Sequence, residues 1–184
     1  MSPGSRTTPL RVVNIVLAAL LALALVAVVV VSIAGRAVLP GTSPADRSEK
    51  QYDAVAGAAK AGMDAFLSVD YKRMDPLQDR LLALSTGSFK KQYRAAMVNI
   101  KAAAQSARVI ATPTVREVGV NRVADGKATA VVAADLVRKN KATRNKAATK
   151  SCPHTGASCL YFRFTVELTE TDDGWKLSNV EPVS

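Results

Sequence analysis

Histidine and tryptophan each occur once in this 184-residue chain, cysteine twice, and aromatic residues make up only 5%. A lone histidine excludes a metal-binding histidine pair, and two cysteines allow at most one disulfide. No nucleophile elbow, phosphate loop or nucleotide fingerprint is present. Acid is scarce as well. Fifteen Asp and Glu face 25 Lys and Arg, a formal +10, and no acid lies between Asp135 and Glu167. The apolar share of 48%, mostly alanine and valine, excludes a disordered chain. The length excludes two full domains plus an anchor.

The apolar residues are unevenly spread. Residues 12–33 carry no charge, and at ~1.5 Å per residue they match the roughly 30 Å of a bilayer core. A cleaved signal peptide needs a shorter run, ~7–15 residues, although Ser32-Ile33-Ala34 would make a cleavage site. Length favours an uncleaved anchor. The expected organisation is a cytoplasmic tail 1–11, a transmembrane helix 12–33, a linker 34–45 and an extracytoplasmic α+β domain 46–184. Arg6 and Arg11 precede the run while Arg36, Arg47 and Lys50 follow it, so the positive-inside count leaves orientation open. The cysteines bear on it. Cys152 and Cys159 stand in Ser-Cys-Pro-His-Thr-Gly-Ala-Ser-Cys, where Pro153 and Gly156 favour a turn that brings the sulfurs together. A disulfide implies an oxidising compartment and puts the domain outside the cytoplasm. Free thiols are one alternative. A metal site using Cys152, His154 and Cys159 is another, one ligand short of a structural zinc site.

Beyond the anchor the apolar pattern first has a helical period. Ser43 reads as an N-cap, and Tyr52, Val55, Ala59, Met63 and Phe66 form one stripe on a helix over about 46–69. Gly57 and Gly62 weaken that helix or let another element pack closely. Asp75 reads as the cap of a short second helix, with Gln78 in the capping-box place. Ser88 reads as the cap of a third helix, to about 106, with the stripe Phe89, Tyr93, Met97 and Ile100. From residue 108 the period becomes two. Four strands are expected: 109–123 with a phase break near Glu117-Val118, 128–137 after an Asp125-Gly126 turn, 160–168, and 175–180 after Asp172-Asp173-Gly174. Helices followed by antiparallel strands make an α+β fold, its three helices packed on one face of a curved four-stranded sheet.

That order behind one anchor resembles the nuclear transport factor 2-like cone. The segments Ala65-Phe66-Leu67-Ser68-Val69-Asp70-Tyr71, Leu82-Ala83-Leu84-Ser85-Thr86-Gly87-Ser88-Phe89 with Tyr93, and Gly174-Trp175-Lys176-Leu177 resemble the Mce-associated membrane proteins of actinobacteria. The resemblance runs from about residue 12 to 183. It implies a small single-pass protein supporting an Mce-type lipid transport complex, with Mce subunits or other envelope proteins as partners. Residues 138–159 depart from the family's pattern. Bitopic proteins of type IV secretion share the layout of anchor plus cone.

Related cones can be enzymes, but no cofactor and no catalytic residue is expected here. Asp135 and Glu167 alternate with the apolar set and should face solvent, while Asp70, Asp75 and Asp79 sit at a helix junction where capping accounts for them. Phe66, Phe89, Tyr93, Phe162, Phe164 and Trp175 are the residues that either a packed core or a lipid- or steroid-binding cavity would use. The most distinctive feature is basic. Arg138, Lys139, Lys141, Arg144, Lys146 and Lys150 fall within thirteen residues. Nucleic acid is not an expected partner outside a cell, and no aromatic residue is interleaved for stacking. Anionic lipid headgroups, at ~1 kcal/mol per basic residue near a charged surface, and an acidic protein surface are the contacts this run suits. A solvated loop is the alternative.

Overall fold

The computed structural model describes residues 44–183, with side chains from residue 47. The run 12–33, the tail before it and Ser43 lie outside the described residues. Among the described residues no helix is long and apolar enough to cross a membrane.

Helix α1 (Pro44–Leu67) buries Val55, Ala59 and Met63 completely, at the four-residue spacing the stripe requires. Tyr52, the first residue of that stripe, is exposed instead. The two glycines of α1 differ. A Cβ on Gly57 would meet nothing within 4 Å, whereas one on Gly62 would lie 2.5 Å from Leu177 Cδ1. Gly62 is therefore a position where the Leu177 side chain of the sheet packs directly on the helix backbone.

Strand β1 (Val69–Asp70) follows α1, then α2 (Met74–Ala83) and α3 (Gly87–Ala107). Neither expected hydroxyl or carboxylate cap exists. Arg73 and Thr86 occupy the cap positions of α2 and α3, and neither side chain bonds the helix. Asp75 lies inside α2 and its carboxylate pairs with Lys101 Nζ at 2.6 Å. Gln78 is buried rather than capping, and its Nε2 donates to the Met97 carbonyl of α3 at 3.1 Å. Ser88 falls after the start of α3, because backbone pairing fixes that start. Leu177 N–H donates to Leu84 O and Thr86 N–H to Leu177 O, at 2.9 and 2.8 Å, and Gly87 then turns the chain at φ +59°.

Strands β2 (Ile110–Ala124), β3 (Lys127–Lys139), β4 (Ser158–Thr171) and β5 (Gly174–Pro182) complete an antiparallel sheet ordered β1-β2-β3-β4-β5. The sheet has five strands, not four, because Val69 and Asp70 pair with Ala111 and Ile110. Two residues carry no periodicity that a sequence pattern can reveal. Asp125 (φ 54°) and Gly126 (φ 67°) make the tight hairpin turn. Register shifts at Val115/Glu117 and Val120/Arg122 bulge β2, which bends and twists the strand.

The core lies between helices and sheet. Ala128, Ala130, Val132, Ala134 and Leu136 of β3 and Phe164, Val166 and Leu168 of β4 face inward, none more than 8% exposed. Phe162, Phe66, Phe89, Tyr93 and Trp175 pack half-buried around them. Phe66 meets Phe164 edge-on at 6.2 Å and Phe89 at 5.9 Å, while Phe162 lies 5.6 Å from Phe164. Such pairs contribute roughly 0.5–1.5 kcal/mol beyond the area they bury.

Candidate functional site

The connection from β3 to β4, residues 140–157, is built rather than loose. Asn140 caps a 3₁₀ turn, Lys141–Thr143, in a reciprocal pair with Thr143, whose side chain is buried. Thr143 Oγ1 donates to Gly156 O and Gly156 N–H to Lys146 O, both at 2.8 Å. Thr149 and Cys152 exchange backbone hydrogen bonds. Cys152 and Cys159 form a disulfide, Cα atoms 5.3 Å apart. With both sulfurs bonded, neither free thiols nor a Cys152–His154–Cys159 metal site applies. Tyr161 Oη donates to Ser151 O at 3.0 Å, tying the connection to the outer face of β4.

Between that connection and the sheet lies a groove of about 480 Å³. Strand alternation forms its floor. Thr112, Thr114 and Arg116 of β2, Asp135, Val137 and Lys139 of β3, and Cys159 and Tyr161 of β4 line it, with Pro153 and His154 as a wall. The register sets Val137 between Thr112 and Cys159, and Asp135 between Thr114 and Tyr161. Asp135 does not stand alone in solvent: Arg116 Nε donates to its Oδ2 at 2.6 Å.

The six expected cations are divided by this arrangement. Arg138 and Lys139 are the last residues of β3, not loop residues. Arg138 falls on the inward-facing set, its Nε buried without a hydrogen-bond partner among the described residues. Lys139 lines the outer groove. Lys141, Arg144, Lys146 and Lys150 are exposed on the connection, where Lys146 Nζ donates to Ser158 Oγ at 3.2 Å. None of the six forms an ion pair among the described residues.

A second cleft, about 630 Å³, opens beside the β2–β3 turn, where Arg122 and Lys127 face Asp125 and Glu167. Its charges balance. Of the junction carboxylates, Asp70 is held in a turn: the Lys72 amide and the Arg73 guanidinium bind it at 3.0 Å each and hold its carboxyl below the usual carboxylate range. Burial pushes the Tyr93 phenol up. Arg116, Thr112, Thr114 and Tyr161 are site residues that sequence reasoning missed. The signal was the polar alternation 112-114-116, which gains meaning only with the register.

No curated protein matches the chain. Several solved structures share its fold. An IcmL-like type IV secretion system protein from Legionella pneumophila superposes with a TM-score of 0.54 at 14% identity, covering 70% of this chain and 91% of that one. CagV, a VirB8 homolog from Helicobacter pylori, gives 0.54 at 12%, covering 72% and 98%. The periplasmic domain of DotI gives 0.50 at 12%, covering 70% and 92%. These likenesses show the fold, α+β with an antiparallel sheet and three helices. In sequence, the family described as "Uncharacterized protein Rv1363c/MT1408-like" matches residues 13–184, and the chain belongs to that family.

Proposed function

We propose that the protein is a non-enzymatic, membrane-anchored accessory component that assembles with or stabilises an Mce-type lipid transport complex, its domain lying outside the cytoplasm. The observation that carries this reading is the division between the two faces of the sheet. The inner face is filled by side chains such as Met63, Val132, Val166, Leu168 and Leu177, all under 2% exposed. The outer face presents a held, strongly basic connection. A surface organised in this way suits contact rather than turnover. The charge-free run 12–33 supports the anchor, the disulfide supports an oxidising compartment, and the segments that resemble Mce-associated proteins support the choice of partner.

A second reading is favoured by the solved structures. The IcmL-like protein and CagV belong to type IV secretion systems and the DotI domain is periplasmic; on this reading the chain would be an assembly component of such a channel. Purification of the tagged full chain from mildly solubilised membranes separates the readings. Mce subunits among the co-purified proteins support the first and secretion-channel proteins the second. Stoichiometric extractable lipid with neither would replace both by a lipid carrier.

A further inference from the structure

The groove beneath the disulfide-held connection lies outside what an accessory role requires. We propose that it is a docking site for an extended acidic polypeptide segment of a partner, with Lys139 and His154 meeting its carboxylates and the Tyr161 ring and Pro153 covering its apolar atoms. This rests on reading the basic run as a contact surface and adds the partner's chemistry.

Charge is the first argument. Asp135 is the one acid lining the groove, and Arg116 already neutralises it at 2.6 Å. Lys139 has no acidic partner among the described residues, and neither do Lys141, Arg144, Lys146 and Lys150 nearby in the chain. An incoming carboxylate therefore meets uncompensated positive charge and displaces no existing pair. The second argument is preorganisation. The disulfide, the Thr149–Cys152 exchange and the Tyr161–Ser151 bond hold the wall before any ligand arrives, so little ordering entropy is left to oppose binding. Tyr161 is 67% exposed, a large ring kept in solvent with its hydroxyl already occupied. Such amphipathic rings are over-represented at protein interfaces.

Shape favours a protein segment over a bilayer surface. The groove is a recess floored by the strands and walled by Pro153 and His154 of the connection, and an extended polypeptide can enter it where the flat face of a membrane cannot.

The test uses the full chain in detergent and a fluorescein-labelled peptide, Gly-(Glu)₆-Gly, followed by anisotropy, with Gly-(Gln)₆-Gly for comparison. The acidic peptide should bind and the neutral one should not. Lys139→Glu should weaken binding at least tenfold, and reduction of the disulfide about fivefold. Lys90→Gln/Lys91→Gln, which removes as much charge from α3, should change it less than twofold. Absence of binding, or an equal loss in the α3 variant, overturns the site. So does displacement of the peptide by phosphatidylglycerol vesicles but not by phosphatidylcholine vesicles, which would make the groove a lipid site. The outcome is independent of co-purification: groove-dependent binding without Mce subunits removes the proposed complex and keeps the site, and the reverse pattern does the opposite.

Discussion

The two faces of one sheet follow different rules. On the inner face each position is set by volume. Alanine recurs along β3 at 128, 130 and 134, and Gly62 leaves room for Leu177 where any Cβ would collide. On the outer face the same strands place threonine, arginine, aspartate, lysine and tyrosine at the alternate positions, and packing dictates none of them. Side chains that packing does not choose are free to be chosen for contact. The comparison separates residues that keep the domain folded from residues that give it a surface.

Breaking the inner face should cost most. Leu177→Ala is expected to lower unfolding free energy by about 2–5 kcal/mol in denaturant titration. Gly62→Ala should also destabilise, by about 1–3 kcal/mol of overpacking, and much less in the Leu177→Ala background because the two share one contact. Strict additivity would show that Gly62 is not there for Leu177.

On the outer face the expected losses are smaller. Cys152→Ser/Cys159→Ser opens a short loop, worth about 2–2.5 kcal/mol by chain entropy, and should leave the inner core's near-ultraviolet signature in place. Collapse of that signature would mean the connection holds the fold rather than the groove. Gly57→Ala, in open space on α1, should stabilise by up to about 1 kcal/mol, the opposite sign to Gly62→Ala five residues on. Replacing Lys139, Lys141, Arg144 and Lys146 by glutamine should move stability by no more than about 0.5 kcal/mol while removing the salt dependence of partner binding. If that binding persists unchanged, the connection is merely solvated.

The smallest effect concerns Asp70, whose carboxyl is lowered in the fold. Its contribution is present above the ordinary aspartate range and is lost as pH falls through the lowered value. Asp70→Asn should flatten only the acid limb of the stability profile, measured by melting temperature against pH.

Much of the inner face was legible in the sequence because it obeys a period. The 55-59-63 stripe, the Asp125-Gly126 turn, the bulge near Glu117 and the alternation 162-164-166-168 all appear where the pattern places them. The first helix does begin at Pro44, a residue suited to a first helical position, but the starts of α2 and α3 were not legible. That of α3 is set by contacts distant in sequence, Leu177 with Leu84 and Thr86, and not by a side-chain cap. The groove was hidden for the same reason: its walls come from positions 112 to 161, and only register brings Arg116 to Asp135 or Tyr161 to Ser151. Composition did reveal the cations, but not that a strand end carries two of them to opposite faces.

Leu177 also bears on the timing of folding. Sheet order repeats chain order from β1 to β5, so every strand pair is available as soon as its second strand exists, and the short disulfide loop can close without distant help. Leu177 lies in the final strand, however, and it joins the 84–86 segment to β5 while filling the space over Gly62. A chain made from its N-terminus thus assembles a meander early and seals its core last. Until β5 arrives, the apolar faces of α1 and β4 remain uncovered where Leu177 will sit, and that interval is when the nascent domain is most open to proteases and to self-association.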